Sequence, residues 1–217
     1  MYLPRHFAET DPARLHALVR AHPLGTLITQ GADGQPVADL LPFELCVQAD
    51  GSACLRTHVA RANPLWRAHP AGQPVLVLFQ GGDAYVSPNA YPSKRENGKA
   101  VPTWNYALVQ ARGPLRVIDG DAAWLRAFLQ TLTQRHEAAQ ATPWRLDDAP
   151  AAYIDAMLAA AVGLEVAVTT LQGKFKLSQN QPPANRQGVQ EALAALGHPL
   201  ADAMAWPAEH AAGQAVA

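Results

Sequence analysis

The chain has 217 residues, 49% of them hydrophobic, which allows a sizeable core and excludes general disorder. Its formal net charge of -1 gives no electrostatic footprint for nucleic acid. The opening MYLPRHFAETD lacks the basic-then-apolar pattern of a leader, and no apolar run approaches ~18 residues, so a soluble, cytoplasmic protein without membrane association is expected.

Thr10-Asp11-Pro12 reads as a helix start, with a capping side chain followed by proline where its missing N–H does no harm. Leu15, Leu18 and Val19 give that helix one apolar face, and Pro23 ends it. The runs LGTLITQ, QPVADLLPFELCV and ACLRTHV are separated by turns at GADG and ADGS, a pattern that predicts a three-stranded meander. Cys46 and Cys54 flank VQADGSA and face each other across that hairpin; in a cytosolic chain they read as two half-buried thiols, with a disulfide as the alternative.

NPLWRAHP is a short helix, with Asn63 as cap and Pro64 in first position. PVLVLFQG is a continuous apolar run suited to a strand buried on both faces. After DAYVSP and a long loop, VPTWNYALVQARGPLRVI supplies one long or two shorter strands. Asp119 or Asp121 can cap a helix carrying Trp124, Leu125, Phe128, Leu129 and Leu132 at helical spacing. PWRLDDAPAAYIDAMLAAAVG gives another helix, and LEVAVTTLQGKFKLSQN returns to strand. The last helix presents Val189, Leu193 and Leu196 on one face and stops at Gly197.

Strands run consecutively with tight turns, while helices are inserted or terminal. That is the grammar of a mainly β, α+β protein: an antiparallel barrel with peripheral helices, not a doubly wound parallel sheet. One domain is expected over residues 1–200, with 201–217 as a loosely ordered tail.

Three clusters carry candidate chemistry. In LRTHVARANP, Thr57, His58, Arg61 and Asn63 stand where a strand meets a helix N-terminus, a place that suits a phosphate. The same residues also read as a core-edge histidine, a helix cap and a solvated arginine. In YVSPNAYPSKRENGKAVPTWNY, prolines shape the loop, and Trp104 and Tyr106 share one strand face opposite Thr103, Asn105 and Ala107. Such aromatics suit a subunit interface, the wall of a planar-ligand pocket, or a barrel exterior under a helix. In GKFKLSQN, Lys174 and Lys176 share a face and Phe175 and Leu177 take the other; the segment either closes over an acidic or carbonyl-rich ligand or is a solvated polar turn.

The chain has no dinucleotide fingerprint, Walker loop, His-Glu-x-x-His or Cys-x-x-Cys, and no convincing helix-turn-helix. Its eight histidines do not cluster at ligand spacing, so no metal centre is expected, and no residue stands out as a catalytic acid, base or nucleophile.

MYLPRHF, LRTHVARANPLW, YVSPNAYPSKRENGKAVPTWNY and GKFKLSQNQPPANRQGV, in that order, resemble the PaiB-like family of FMN-binding negative transcriptional regulators. The resemblance covers the chain from Met1 to about Leu196 and leaves out the alanine-rich tail. It implies a split β-barrel like that of pyridoxamine-phosphate oxidases and flavin reductases, usually a homodimer with FMN at the subunit interface. It further implies that Thr57, His58, Arg61 and Asn63 hold the phosphate. Asp39 to Phe43, with Leu40 and Leu41, run beside the isoalloxazine; Trp104 and Tyr106 form the dimer contact and part of the pocket; Lys176, Gln179 and Asn180 approach the flavin. The function it implies is a flavin-linked regulator acting on promoter DNA or through a regulatory protein. An FMN-dependent oxidoreductase or flavin reductase, and a non-catalytic FMN-binding module, are the alternatives.

Overall fold

The computed structural model describes residues 1–31, 33–69 and 72–205. In chain order its elements are β1 (Ala8–Glu9), α1 (Pro12–Ala21), β2 (Leu24–Gln30), β3 (Pro36–Pro42), β4 (Glu44–Val47), β5 (Ala53–Ala60), α2 (Leu65–Ala68), β6 (Pro74–Val86) and α3 (Lys94–Asn97). There follow β7 (Thr103–Ile118), α4 (Ala122–Glu137), α5 (Ala151–Ala159), β8 (Ala161–Val168), β9 (Thr170–Lys176), α6 (Pro183–Ala195) and α7 (Leu200–Ala205). Strand order is β3-β2-β6-β7-β8-β5-β4, and β9 pairs with both β1 and β7. The β1–β9, β2–β3, β2–β6, β4–β5, β5–β8 and β7–β8 ladders are all antiparallel.

The expected three-stranded meander does not form. QPVADLLPFELCV breaks at Phe43 into β3 and β4, which stand at opposite ends of the strand order. Pro42 removes a ladder donor, the Phe43 amide instead donates to Pro23 O at 2.8 Å, and the Phe43 ring is buried edge-on to Phe79. LEVAVTTLQGKFK likewise divides into β8 and β9, with Thr169 N–H bonded to Arg112 O at 2.8 Å.

The chain forms two compact units. The first comprises Val19–Phe79 and Gln110–Leu171. In it β5 alternates, with Leu55, Thr57 and Val59 inward, while Leu125, Phe128 and Leu132 of α4 pack with Ile154 and Leu158 of α5. Asp121, rather than Asp119, caps α4 by accepting from Trp124 N at 2.8 Å. Gly163 is required where α4 crosses β8: a Cβ there would lie 2.3 Å from Trp124 Cζ3.

The second unit comprises Met1–Leu18, Gln80–Val109 and the chain from Gln172 on. Asp11 caps α1 by accepting from Ala13 N, and Leu15, Phe175, Leu177, Val189, Leu193 and Met204 form its interior. Leu196, expected on the buried face of the last helix, is 80% exposed, because α6 ends at Ala195 and Gly197 turns the chain in the left-handed region at φ 64°. The segment expected as a tail from 201 is helical to Ala205, with Leu200, Ala201 and Met204 buried; residues 206–217 lie outside the described residues.

Candidate functional site

In the unit that holds β5, Thr57 and His58 are strand neighbours and therefore point to opposite faces. Thr57 is fully buried and its hydroxyl donates to Pro42 O at 2.7 Å. The His58 ring faces α4, 5.9 Å from the Phe128 ring, and its Nδ1 is buried with no partner among the described residues. Burial depresses the His58 pKa below its ordinary value.

Just past β5, Arg61 donates from Nε to Ala159 O at 2.8 Å and from Nη2 to Asp119 Oδ1 at 2.8 Å and Ala161 O at 3.3 Å. The hydrogen bond from Arg61 holds the Asp119 carboxyl below its usual range. Arg61 and Arg67 both lie against the Trp66 indole, their Cζ atoms 5.7 and 3.9 Å from the ring centroid. A cavity of about 350 Å³ adjoins Arg61, but Asp121 and Asp155 also line it, which disfavours an anion inside.

A larger groove, about 800 Å³, lies against the β2–β3 hairpin and α2, with Thr29, Val37, Asp39, Asn63, Leu65 and His69 in its lining. Asn63 closes one wall: its Oδ1 accepts from Leu65 N at 2.9 Å, starting α2, and its Nδ2 donates to Asp39 Oδ1 at 3.2 Å. The other carboxylate oxygen, Asp39 Oδ2, is buried without a partner among the described residues. Leu40 is 61% exposed and Leu41 is half-buried. Asn63 and the Asp39–Leu41 strand are therefore brought together; Thr57 and His58 are turned away from each other and do not converge with Arg61 on one point.

Behind these loops β5, β8 and β7 carry an ionic row. Glu165 accepts from Arg56 Nε at 2.8 Å and from Arg116 Nη2 at 2.7 Å. Burial pushes the Glu165 carboxyl up, but the bonds from Arg116 and Arg56 outweigh it and hold its pKa below the usual value. Glu44 is nearly buried, and burial raises its pKa despite the facing Arg135.

The remaining candidates lie in the other unit. On β7, Asn105, Ala107 and Val109 are buried while Trp104 and Tyr106 face outward, as the alternation predicts. Trp104 is 54% exposed and meets Tyr85 edge-to-face at 6.0 Å. Gly173 and Phe175 of β9 are buried, so Lys174 and Lys176 share its other face; Lys174 Nζ lies 5.6 Å from the Tyr106 ring centroid, and Lys176 donates to the Thr103 hydroxyl. Gln179 spends its amide on its own turn, accepting from Leu177 N and donating to Phe175 O, and Asn180 is exposed. Between them Ser178 holds φ at 62° while it exchanges hydrogen bonds with buried Asn105. The proline-punctuated loop is anchored as well: Tyr91 is buried and Ser93 N–H donates to Asn185 Oδ1 of α6.

Trp66 and Arg67 are the site features that sequence reading passes over. Both sit in LRTHVARANPLWRAHP, yet only the folded turn shows the Trp66 indole against the Arg61 and Arg67 guanidiniums.

A mostly antiparallel sheet with several helices in this strand order defines the split β-barrel class. Solved structures with this fold include the FAD and heme binding protein from Mycobacterium smegmatis, with a TM-score of 0.55 and 24% identity over 78% of this chain and 73% of that one. The flavocytochrome Anf3 from Azotobacter vinelandii aligns with a TM-score of 0.56 and 18% identity, covering 78% of this chain and 69% of that one. Residues 1–170 match the family described as "Putative FMN-binding domain". The protease synthase and sporulation protein PAI 2 of Bacillus subtilis is 32% identical over 94% of this chain and 95% of its own length. An uncharacterized protein of Emericella nidulans is 36% identical over 91% of this chain and 92% of its own. The chain belongs to this FMN-binding family, the PaiB-like group that its motifs resemble, and FMN is the cofactor that membership assigns to it.

Proposed function

We propose that the protein binds FMN and acts as a flavin-linked regulator, with the groove beside Asn63 as part of the flavin site and Arg61, which follows β5 just before that groove's Ala62 and Asn63 in the chain, as a phosphate contact made outside the acid-lined cavity that it also borders. The carrying observation is the orphaned Asp39 Oδ2, a buried acceptor on a residue that lines a groove whose polar lining also includes Thr29, Asn63 and His69. A buried acceptor left unpaired is costly, and a ribityl hydroxyl or the ring imide N–H is the donor it lacks. The chemistry also fits at Arg61 and Arg67, whose guanidiniums suit a phosphate monoester; it does not fit at Thr57, whose hydroxyl is committed to Pro42 O. Bound FMN supplies redox chemistry, and these residues would bind and orient it.

In this reading Leu40 and Leu41 offer an apolar wall and backbone groups, and Trp104, Tyr106, Lys176 and Asn180 are candidate contacts in a homodimer, while Gln179, its amide spent on its own turn, shapes that segment. The regulatory part rests on the near full-length similarity to PAI 2. The first test is a titration of the purified protein with FMN and with riboflavin, followed by promoter-shift and nicotinamide-oxidation assays. Micromolar or tighter binding that prefers FMN supports the site. Catalytic oxidation of a nicotinamide cofactor with no effect on promoter occupancy would replace the regulator with an FMN-dependent oxidoreductase or flavin reductase, and binding without either activity would leave an FMN-binding module.

A further inference from the structure

Cys46 and Cys54 are the only two cysteines, and both are free and half-buried. They are directly opposed in the antiparallel β4–β5 ladder. The connecting turn pins that register: Gln48 N donates to Ser52 O at 2.8 Å, Gly51 takes φ 85°, and Asp50 Oδ1 accepts from both Ser52 N and Ser52 Oγ. Opposed residues of such a pair have Cα atoms about 4.5–5.5 Å apart, within the roughly 4.4–6.8 Å that a disulfide spans.

We propose that Cys46 and Cys54 form a redox-sensitive modification site, in which a small-molecule disulfide converts the dithiol to a cross-strand disulfide with Cys46 as the attacking sulfur and Cys54 as the resolving one. The order of attack follows from the placement of Glu165: Cys54 Sγ donates to Glu165 Oε2 at 3.7 Å, a carboxylate that disfavours a thiolate there. A hydrogen bond from Cys54 stabilises the Cys46 thiolate against the cost of burial, lowering its pKa to about 7, with Arg56 assisting. Cys54 is held as the thiol, first by that hydrogen bond and then by burial. Glu44 and Glu165 are the opposing charges that face the pair, and both disfavour the Cys46 thiolate.

The Cys46 thiolate attacks one sulfur of a disulfide such as glutathione disulfide, forming a mixed disulfide and expelling a thiolate that takes a proton from water. Cys54 then gives its proton to water, and its sulfur attacks the Cys46 sulfur and expels the second small thiolate. Two protein thiols are oxidised and one disulfide is reduced to two thiols. The product staples the terminal strand β4 to β5, the strand that runs on to Arg61 and Asn63.

The test equilibrates the full chain in glutathione buffers of rising oxidised fraction, quenches in acid, alkylates and weighs the intact protein. Two alkylatable thiols should fall to none in one two-electron step, with the mass of two hydrogens lost and no crosslinked dimer. Cys54→Ser should stop at a single glutathione adduct, and Cys46→Ser should react about tenfold more slowly at neutral pH, because its remaining Cys54 thiol still faces the Glu165 carboxylate. Two free thiols in the fully oxidised buffer, two stable glutathione adducts, or intermolecular disulfides in the unaltered protein would each overturn the proposal. Equal rates for the two serine variants would overturn the assigned order.

Discussion

Replacing Arg61 by alanine separates phosphate recognition from flavin recognition. A hydrogen bond to a charged partner contributes about 1.5–3 kcal/mol, so loss of one phosphate contact should weaken FMN about tenfold to a hundredfold. Riboflavin, which lacks the phosphate, should bind the variant as it binds the unaltered protein. Arg61→Ala also loses its bonds to Ala159 O, Ala161 O and the exposed Asp119 carboxylate, so a thermal melt of the variant shows that the fold persists before the flavin titrations are compared. Because Asp119 holds the same guanidinium at 2.8 Å, Asp119→Asn should tighten FMN while Arg61→Ala loosens it. Parallel fluorescence titrations of both flavins against the two variants give the answer. Unchanged FMN affinity in Arg61→Ala, or an equal loss for riboflavin, would refute the phosphate assignment.

Asp39→Asn should weaken FMN and riboflavin alike, by about 1–3 kcal/mol, if Oδ2 accepts from the flavin; equal affinities would return the groove to a merely structural role. His58 has a folded pKa below its unfolded value near 6.5, so the unfolded chain takes up a proton first and stability is lost as pH falls through that value. His58→Gln should remove this acid-side loss, which denaturant midpoints at pH 7.5 and pH 5.5 will register; an identical decline in both proteins would assign the effect elsewhere. Gly113→Ala places a Cβ 1.7 Å from the Ala167 carbonyl oxygen and 3.3 Å from Thr169 N, so strand pairing must open. Overpacking together with the lost Thr169–Arg112 bond should cost at least about 2 kcal/mol in urea unfolding, and an unshifted midpoint would contradict the close approach. Trp104→Ala should loosen a homodimer if the exposed Trp104–Tyr85 pair lies at its interface, as sedimentation at low concentration will reveal; an unaltered profile counts against that placement.

Periodicity and turn chemistry over a few residues determined much of this protein from the sequence by itself. The capped start of α1 at Asp11, the hairpin turn at Gln48–Ser52, the outward Trp104 and Tyr106 and the α4 face of Leu125, Phe128 and Leu132 were all legible there. So was family membership, because the long loop motif and the Thr57–Asn63 stretch are distinctive as strings. Only the tertiary structure decided where QPVADLLPFELCV breaks, since Phe43 leaves the strand to fill a space that Phe79 completes. Only it sent Thr57 to Pro42 and Arg61 to Asp119, paired Asn63 with Asp39, and left Asp39 Oδ2 without a partner. Local patterns specify a face and a turn because they act between residues a few positions apart. Strand order and the pairing of buried polar atoms depend on which distant surfaces meet, and on which donors and acceptors remain once the backbone has satisfied its own.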